Sequence, residues 1–239
     1  FLFGKKVPVK ITFGQYDTKI MNRILSLGFS PFLILATDSL ILILLNTILQ
    51  KYGGKSQGDM FITCATIAQS YLLLITSSMI GISGGTQAIL SYNYGARRAD
   101  RVKDAEKNIL GVMLIFTTIM FLLSRLVPRY FVLLFTSDPQ YISFSVWAIH
   151  TYTLMIIPLS FQYVFVDGLT ALDRPKTGLA LSVTRKSLFV LSAAILPVFF
   201  DAKAAFFAEP VADGVCSVLS TVVFLLLINR HLQKRCQTV

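Results

Sequence analysis

The chain has 239 residues, 54% of them apolar and 14% charged, a mean hydropathy of +0.68 and a formal net charge of +10. A water-soluble domain carries roughly 25% charged residues, so an ordinary soluble fold is excluded. The basic excess does not point to nucleic acid, because the cations alternate with long hydrophobic runs instead of clustering with aromatic side chains. Cys64, Cys216 and Cys236 give neither an even framework nor metal-ligand spacing; the first two lie in apolar runs and read as small packing residues.

Residues 1–23 form a basic linker with Lys5, Lys6, Lys10, Lys19 and Arg23. The opening Phe1-Leu2-Phe3-Gly4-Lys5-Lys6 lacks an initiator Met and reads as the end of an earlier helix entering a basic loop, so the chain is expected to be part of something longer. The first apolar run is too long for the core of a signal peptide. A membrane-crossing helix needs about 20 mostly apolar residues. Six such spans follow, at 24–49, 61–90, 109–127, 141–172, 179–200 and 205–228, and residues 230–239 form a tail. The fifth has its apolar part at Ser187–Phe200 and extends back toward Leu179 if Arg185 and Lys186 snorkel to the interface. The expected fold is therefore an all-α integral membrane bundle of six helices surrounded by lipid.

The loops alternate in charge. The linker, the segment with Arg97, Arg98, Arg101, Lys103 and Lys107, the region with Arg174, Lys176, Arg185 and Lys186, and the tail hold 17 of the 22 cations. Lys51, Lys55, Arg125, Arg129 and Lys203 make up the opposite set. Lys and Arg accumulate in cytoplasmic loops, which places both ends in the cytoplasm, as an even number of spans also requires. The loops leave no room for a soluble domain, so any chemistry lies in or between helices.

Ionisable groups at bilayer depth cost several kcal/mol unless paired or watered, which makes each one a functional candidate. Asp38 lies about 11 residues past Leu27, roughly 16 Å along a helix, with no cation among its neighbours. A carboxyl there suits a group that binds and releases protons; the alternative is a neutral Asp bonded to a neighbouring helix. Asp167 lies in the fourth span beyond Pro158, a residue expected to kink that helix; Asp167-Gly168 reads equally as an interfacial helix end. Glu209 and Asp213 are four residues apart, share one helix face and flank Pro210. They can share a proton, bind a cation with partners from other helices, or cap a solvated helix entrance. Gln69, Tyr71, Gln87, Tyr152, Gln162 and Tyr163 interrupt apolar runs as interhelical hydrogen-bonding groups or as the polar lining of a greasy cavity. His150 reads as a packed or interfacial histidine.

Gly81-Ile82-Ser83-Gly84-Gly85 has the spelling of a hydrolase nucleophile elbow, but that motif needs a preceding strand and a histidine base. Close helix packing through Gly81 and Gly85 is the expectation instead. No base–nucleophile pair or metal cluster suggests an enzyme.

The second span ends in Gln87-Ala88-Ile89-Leu90-Ser91-Tyr92-Asn93-Tyr94-Gly95-Ala96, followed by Arg97, Arg98, Arg101, Val102 and Lys103. This stretch resembles the MATE family, the multidrug and toxic compound extrusion transporters, with Ala88 where many members have proline. Lys5-Lys6 with Pro8, Leu172-Asp173-Arg174-Pro175-Lys176, and Glu209-Pro210 with Asp213 fit the same family, in the order of its C-terminal six-helix lobe. The resemblance implies one lobe of a twelve-helix secondary transporter that exports cationic or amphipathic small molecules in exchange for H⁺ or Na⁺ by alternating access. It implies an N-terminal six-helix lobe as partner, a bacterial plasma membrane, no nucleic acid, and no cofactor beyond the coupling ion. By position, Asp38 and Asp167 fall at or near acidic coupling sites of one branch and would ligate Na⁺ if sodium is the ion; Asp213 and Glu209 join them as coupling candidates. A lipid-linked oligosaccharide flippase of the same superfamily is disfavoured because few cations lie deep in the spans. A non-transporting truncated fragment is the other alternative.

Overall fold

The computed structural model describes residues 17–237, and of these the side chains at 23–36, 38, 55–56 and 229–237 lie outside the described residues. The chain divides into two compact units, Phe1–Ile43 and Leu44–Val239. In the first, helix α1 (Thr18–Gly95) begins at Asp17, whose Oδ1 accepts the Lys19 N–H at 2.7 Å as an N-cap. Asp38 is helical, and its side chain lies outside the described residues. Helix α1 is broken at Gly54, which has φ 65° and ψ −169°, a conformation that costs a side chain dearly.

The second unit continues with α2 (Ala99–Leu126), the short α3 (Pro128–Val132), α4 (Pro139–Tyr152), α5 (Ile156–Ala171), α6 (Pro175–Phe199), a 3₁₀ turn (Ala202–Phe207) and α7 (Ala208–Gln237). No strand occurs among the described residues. Among the described residues four helical stretches, Gln57–Gly95, Ala99–Leu126, Pro175–Phe199 and Ala202–Ile228, are long and apolar enough to cross a membrane, and α4 with α5 makes a fifth if the bent pair is one span. The span expected at 24–49 lies partly outside the described residues. Leu73, Leu74, Ile80, Ile115, Leu126, Val218 and Leu226 are each more than half exposed, an apolar exterior that matches lipid rather than water.

Why these helices stop where they do is written in the loops. At the end of α1, Arg98 N–H reaches Asn93 O at 3.0 Å and Arg97 N–H reaches Tyr94 O at 3.1 Å, with Arg97 at φ 58°. At the end of α5, Arg174 N–H reaches Leu169 O at 2.9 Å and Asp173 N–H reaches Thr170 O at 3.3 Å, with Asp173 at φ 62°. Both are Schellman terminations with a left-handed residue after the cap. Pro175 then cannot extend α5 and instead opens α6 at its first position. Thus the Asn-Tyr-Gly-Ala and Leu-Asp-Arg-Pro stretches are helix stops, and Ser91 Oγ ties them together by donating to Ala171 O at 3.2 Å.

The bend expected from Pro158 is present, displaced toward the N-terminus. Helices α4 and α5 meet at 47° across residues 153–155, because proline fits the first turn of α5 and its ring disfavours helix in the turn before. Thr153 at this break donates to Ser124 Oγ of α2 at 3.0 Å. Two turns deeper, Thr117 of α2 and Ser160 of α5 lie 2.8 Å apart. Such hydroxyl pairs hold helices together where lipid removes the usual hydrophobic drive.

Helix α1 runs parallel to the α4–α5 pair. Cys64 Sγ contacts Tyr141 O at 3.7 Å, Ser83 Oγ donates to Tyr163 O at 3.4 Å, and Ser91 to Ala171, so the register stays at 77–80 residues throughout. Two spans separated by one intervening crossing must run parallel, so the register agrees with alternate crossings. The contact is made by Ser83, not by the glycines around it. Gly81, Gly84 and Gly85 have open space within 4 Å of where a Cβ would stand, which corrects the expected glycine packing among the described residues. Gly81 and Gly85 lie two residues from Ser83, about 200° around the helix, and therefore face away from α5. At the other end of the lobe Phe206 is 1% exposed and gathers Phe144 at 5.3 Å, Trp147 at 5.5 Å and Tyr152 at 5.9 Å.

Asp173→Gly should leave thermal stability unchanged or slightly raised, because the left-handed position suits glycine. Asp173→Val should lower stability by about 1–2 kcal/mol, the cost of that conformation for a side chain. Thermal unfolding of the detergent-solubilised protein checks the order of the three proteins.

Candidate ion-binding site

Ten residues past Pro175, about 15 Å along α6, Arg185 turns into the bundle. Its Nη1 lies 2.9 Å from Asp213 Oδ1 and 3.4 Å from Glu209 Oε1, with side-chain exposures of 22%, 1% and 15% for Arg185, Asp213 and Glu209. The spacing of the two acids on α7 is what brings both to one guanidinium. Pro210 sits between them in the first turn of α7, where its missing N–H costs nothing. Arg185 therefore does not snorkel as expected for the fifth span. Inside the bundle two carboxylates attract it more than the interface does, and α6 accordingly extends back to Pro175.

One cation faces two acids, so the cluster holds an uncompensated negative charge when all three are ionised. Asp213 Oδ2 is buried and has no hydrogen-bonding partner. A proton or a small monovalent cation at that oxygen would close the balance, since interacting acids of this kind titrate as a unit.

Tyr163 of α5 lies beside this cluster, with the Arg185 guanidinium carbon 6.0 Å from its ring centre. One turn further along α5 is Asp167, within reach of Ser83 and Gln87 of α1. Gln162 is buried, 4% exposed, with Oε1 unpartnered. Tyr152 is 1% exposed, in the aromatic cluster around Phe206, and its hydroxyl is met by Gln69. Tyr71 is 6% exposed and packs edge-on to Phe131 at 5.0 Å. The structure thus gathers Glu209, Asp213 and Tyr163 around Arg185, and Gln87 around Asp167. It sets Tyr71 and Tyr152 in the packed interior. Asp38 lies outside the described side chains. A shallow apolar pocket near the 3₁₀ turn, lined by Leu196, Phe200 and Phe207, includes none of the expected cavity residues.

Two participants were not singled out from the sequence. By charge pattern Arg185 belongs with the loop cations, although its placement ten residues into a helix is a signal that it needs a buried partner. Glu106, near the start of α2, is 5% exposed, with both carboxylate oxygens buried and unpartnered.

The sequence pattern of the MatE family matches residues 35–196. The "FAD transporter" of Shewanella oneidensis is 26% identical over 136 residues, which cover 57% of this chain and 29% of that protein. Among solved structures, the inward-facing conformation of a multidrug resistance MATE family transporter of the MOP superfamily superposes with a TM-score of 0.84 at 17% identity, over 100% of this chain and 55% of the other. A MOP superfamily transporter from Pyrococcus furiosus, described with a binding pocket of reversed polarity, gives a TM-score of 0.76 at 17% identity, over 95% and 51%. The chain spans about half the length of these solved structures, and at such identity they establish the fold.

Replacing Arg185 with Met leaves two buried acids without their cation, and should cost about 3–5 kcal/mol, the usual penalty for breaking a buried pair from one side. Adding Glu209→Gln and Asp213→Asn to Arg185→Met should recover most of that loss. Thermal unfolding in detergent separates the two variants; equal stability of Arg185→Met and the parent would remove the pair as a structural element.

Proposed function

Because this chain belongs to the MatE family of membrane transporters, we propose that it is the C-terminal six-helix lobe of a secondary antiporter that exports small amphipathic or cationic organic molecules in exchange for H⁺ or Na⁺. The observation that carries this reading is the Arg185–Glu209–Asp213 cluster, with one cation for two acids and a buried, unpartnered Asp213 Oδ2. An ion drives a conformational change only if it binds the two states differently, and charge balance at a helix–helix contact supplies such a difference. Filling Oδ2 neutralises the cluster, favours close packing of α6 on α7, and biases the transporter toward release of its cargo on the far side. Asp167 on α5 and Asp38 on α1 are the other coupling acids, with Asp38 and Asp167 as ligands if the ion is sodium. Tyr163, Gln162 and Gln87 supply polar contacts to the cargo, together with Gln69, while Tyr71 and Tyr152 shape the cavity wall from behind.

The reading includes a partner and an address. An N-terminal six-helix lobe of the same transporter completes the pathway, in keeping with the half-length match to the solved structures. The basic loop ends face the cytoplasm of a bacterial plasma membrane, as the distribution of Lys and Arg favours.

A second reading, export of an anionic flavin dinucleotide, takes its support from the similarity to the Shewanella oneidensis FAD transporter. The test reconstitutes the transporter carrying this lobe in liposomes, imposes a proton or sodium gradient, and follows a cationic fluorophore and FAD side by side. Gradient-driven movement of the fluorophore is expected, reduced at least about fivefold in Asp213→Asn and in Asp38→Asn, the lower end of a coupling energy of 1–3 kcal/mol. Movement of FAD alone would transfer the assignment to the second reading. Undiminished gradient-coupled transport in both variants would sink the role of these acids.

A further inference from the structure

Helix α6 runs 25 residues from the basic end of the lobe, about 37 Å at the helical rise. Its last turn therefore stands at the opposite edge of a hydrocarbon layer about 30 Å thick. There the chain turns through Ala202–Phe207, and two contacts fix that turn. Asp201 Oδ1 accepts the Ala204 N–H at 3.1 Å as a cap, and Phe206 is sunk among Phe144 and Trp147. With Phe206 inside, Phe207 is left 42% exposed, its ring 6.1 Å from that of Trp147. The turn and the end of α6 enclose a shallow pocket of about 340 Å³, lined by Leu196, Phe200, Ala204 and Phe207 together with Asp201 and Lys203. Ligand sites begin at roughly 300 Å³. Leu196 lies one turn deeper than Phe200, about 6 Å, so the apolar wall runs toward the middle of the membrane and the two charges stand on the headgroup side.

Neither charge is engaged by the rest of the protein. Among the described residues no carboxylate pairs with Lys203 and no cation pairs with Asp201. Lys203 Nζ stands 5.9 Å over the Phe144 ring, and the cap occupies only Oδ1 of Asp201. An apolar hollow open to hydrocarbon accepts any acyl chain. A cation and an anion together at its mouth select a headgroup that carries both signs.

We propose that this pocket binds a phospholipid with a phosphoethanolamine headgroup, in the leaflet at this end of the lobe. The acyl chain lies against Leu196, Phe200 and Phe207. Lys203 donates to the phosphate oxygens, and the primary ammonium of the headgroup donates to the Asp201 carboxylate. A trimethylated headgroup offers the same phosphate but has no N–H for Asp201. A phosphoglycerol headgroup offers Lys203 a phosphate and Asp201 no cation. Both contacts lie at the edge of water, so the preference over a trimethylated lipid is about two- to fivefold, the weight of an exposed charge pair. The site goes beyond the antiport reading and holds whatever cargo the transporter carries.

The transporter carrying this lobe, in bilayers of two lipids, tests the site through Trp147. Brominated acyl chains quench tryptophan on contact, and subtracting the Trp147→Phe protein isolates the signal of Trp147. Brominated phosphatidylethanolamine among unlabelled phosphatidylcholine should quench as if enriched two- to fivefold relative to the reverse labelling. Asp201→Asn, which keeps a capping oxygen, should bring the two lipids level. Lys203→Gln should lower the contact of both. Ala204→Leu, which fills the pocket, should reduce quenching to that of bulk lipid, with thermal unfolding confirming that each variant is folded. Equal enrichment of the two lipids in the parent overturns the headgroup assignment, as does stronger enrichment of brominated phosphatidylglycerol. A preference that survives Asp201→Asn overturns the ammonium contact, and one that survives Ala204→Leu overturns the pocket.

Discussion

A guanidinium cannot be placed inside a bundle surrounded by lipid unless carboxylates come with it. Moving one charged group into such a medium costs several kcal/mol even after relaxation, so Arg185 on α6 fixes where α7 has to be. The 2.9 Å contact to Asp213 and the 3.4 Å contact to Glu209 set the depth and rotation of α7 against α6. Phe224, further along α7, then stacks on Phe165 of α5 at 4.4 Å with the rings 11° apart. Three helices are thereby locked by one ion cluster and one aromatic stack.

Helix α5 is the axis of the lobe. It contacts α7, α6 and α2, and donors from α1 reach its backbone. Its polar residues are not scattered: Ser160 meets Thr117, Tyr163 approaches Arg185, and Asp167 reaches Ser83 and Gln87. In water such groups would weaken a core. In a membrane they specify which helices touch, because every apolar surface is equally content with lipid. The broken junction with α4 follows the same logic, since Thr153 in that break is buried and its hydroxyl donates to Ser124 Oγ of α2.

The family-bearing stretches have a mechanical meaning as well. Asn93-Tyr94-Gly95-Ala96 and Leu172-Asp173-Arg174-Pro175 each close a helix through a Schellman turn, and Ser91 joins the two turns. The basic ends of two parallel spans are in this way held at a common level, with Ser83, Gln87, Glu106 and Asp167 lying within about three turns of them.

Hydropathy and charge spacing by themselves determined that the chain is helical and membrane-embedded, because the cost of exposing backbone or charge to lipid acts residue by residue along the sequence. The spacing of Glu209 and Asp213 likewise announced a shared face, and Pro158 announced a bend. Tertiary structure alone decided which cation those acids meet. Arg185 is 24 and 28 residues away from them, and nothing local distinguishes an arginine that snorkels from one that turns inward. The same holds for Glu106, whose inward turn depends on Gly168, a distant residue on α5, leaving room for it, and for Ser83, which outranks the flanking glycines only because α5 lies on its side of the helix. Local periodicity encodes which residues leave water; pairing between distant residues is settled by which helices become neighbours, and that is a property of the packed bundle.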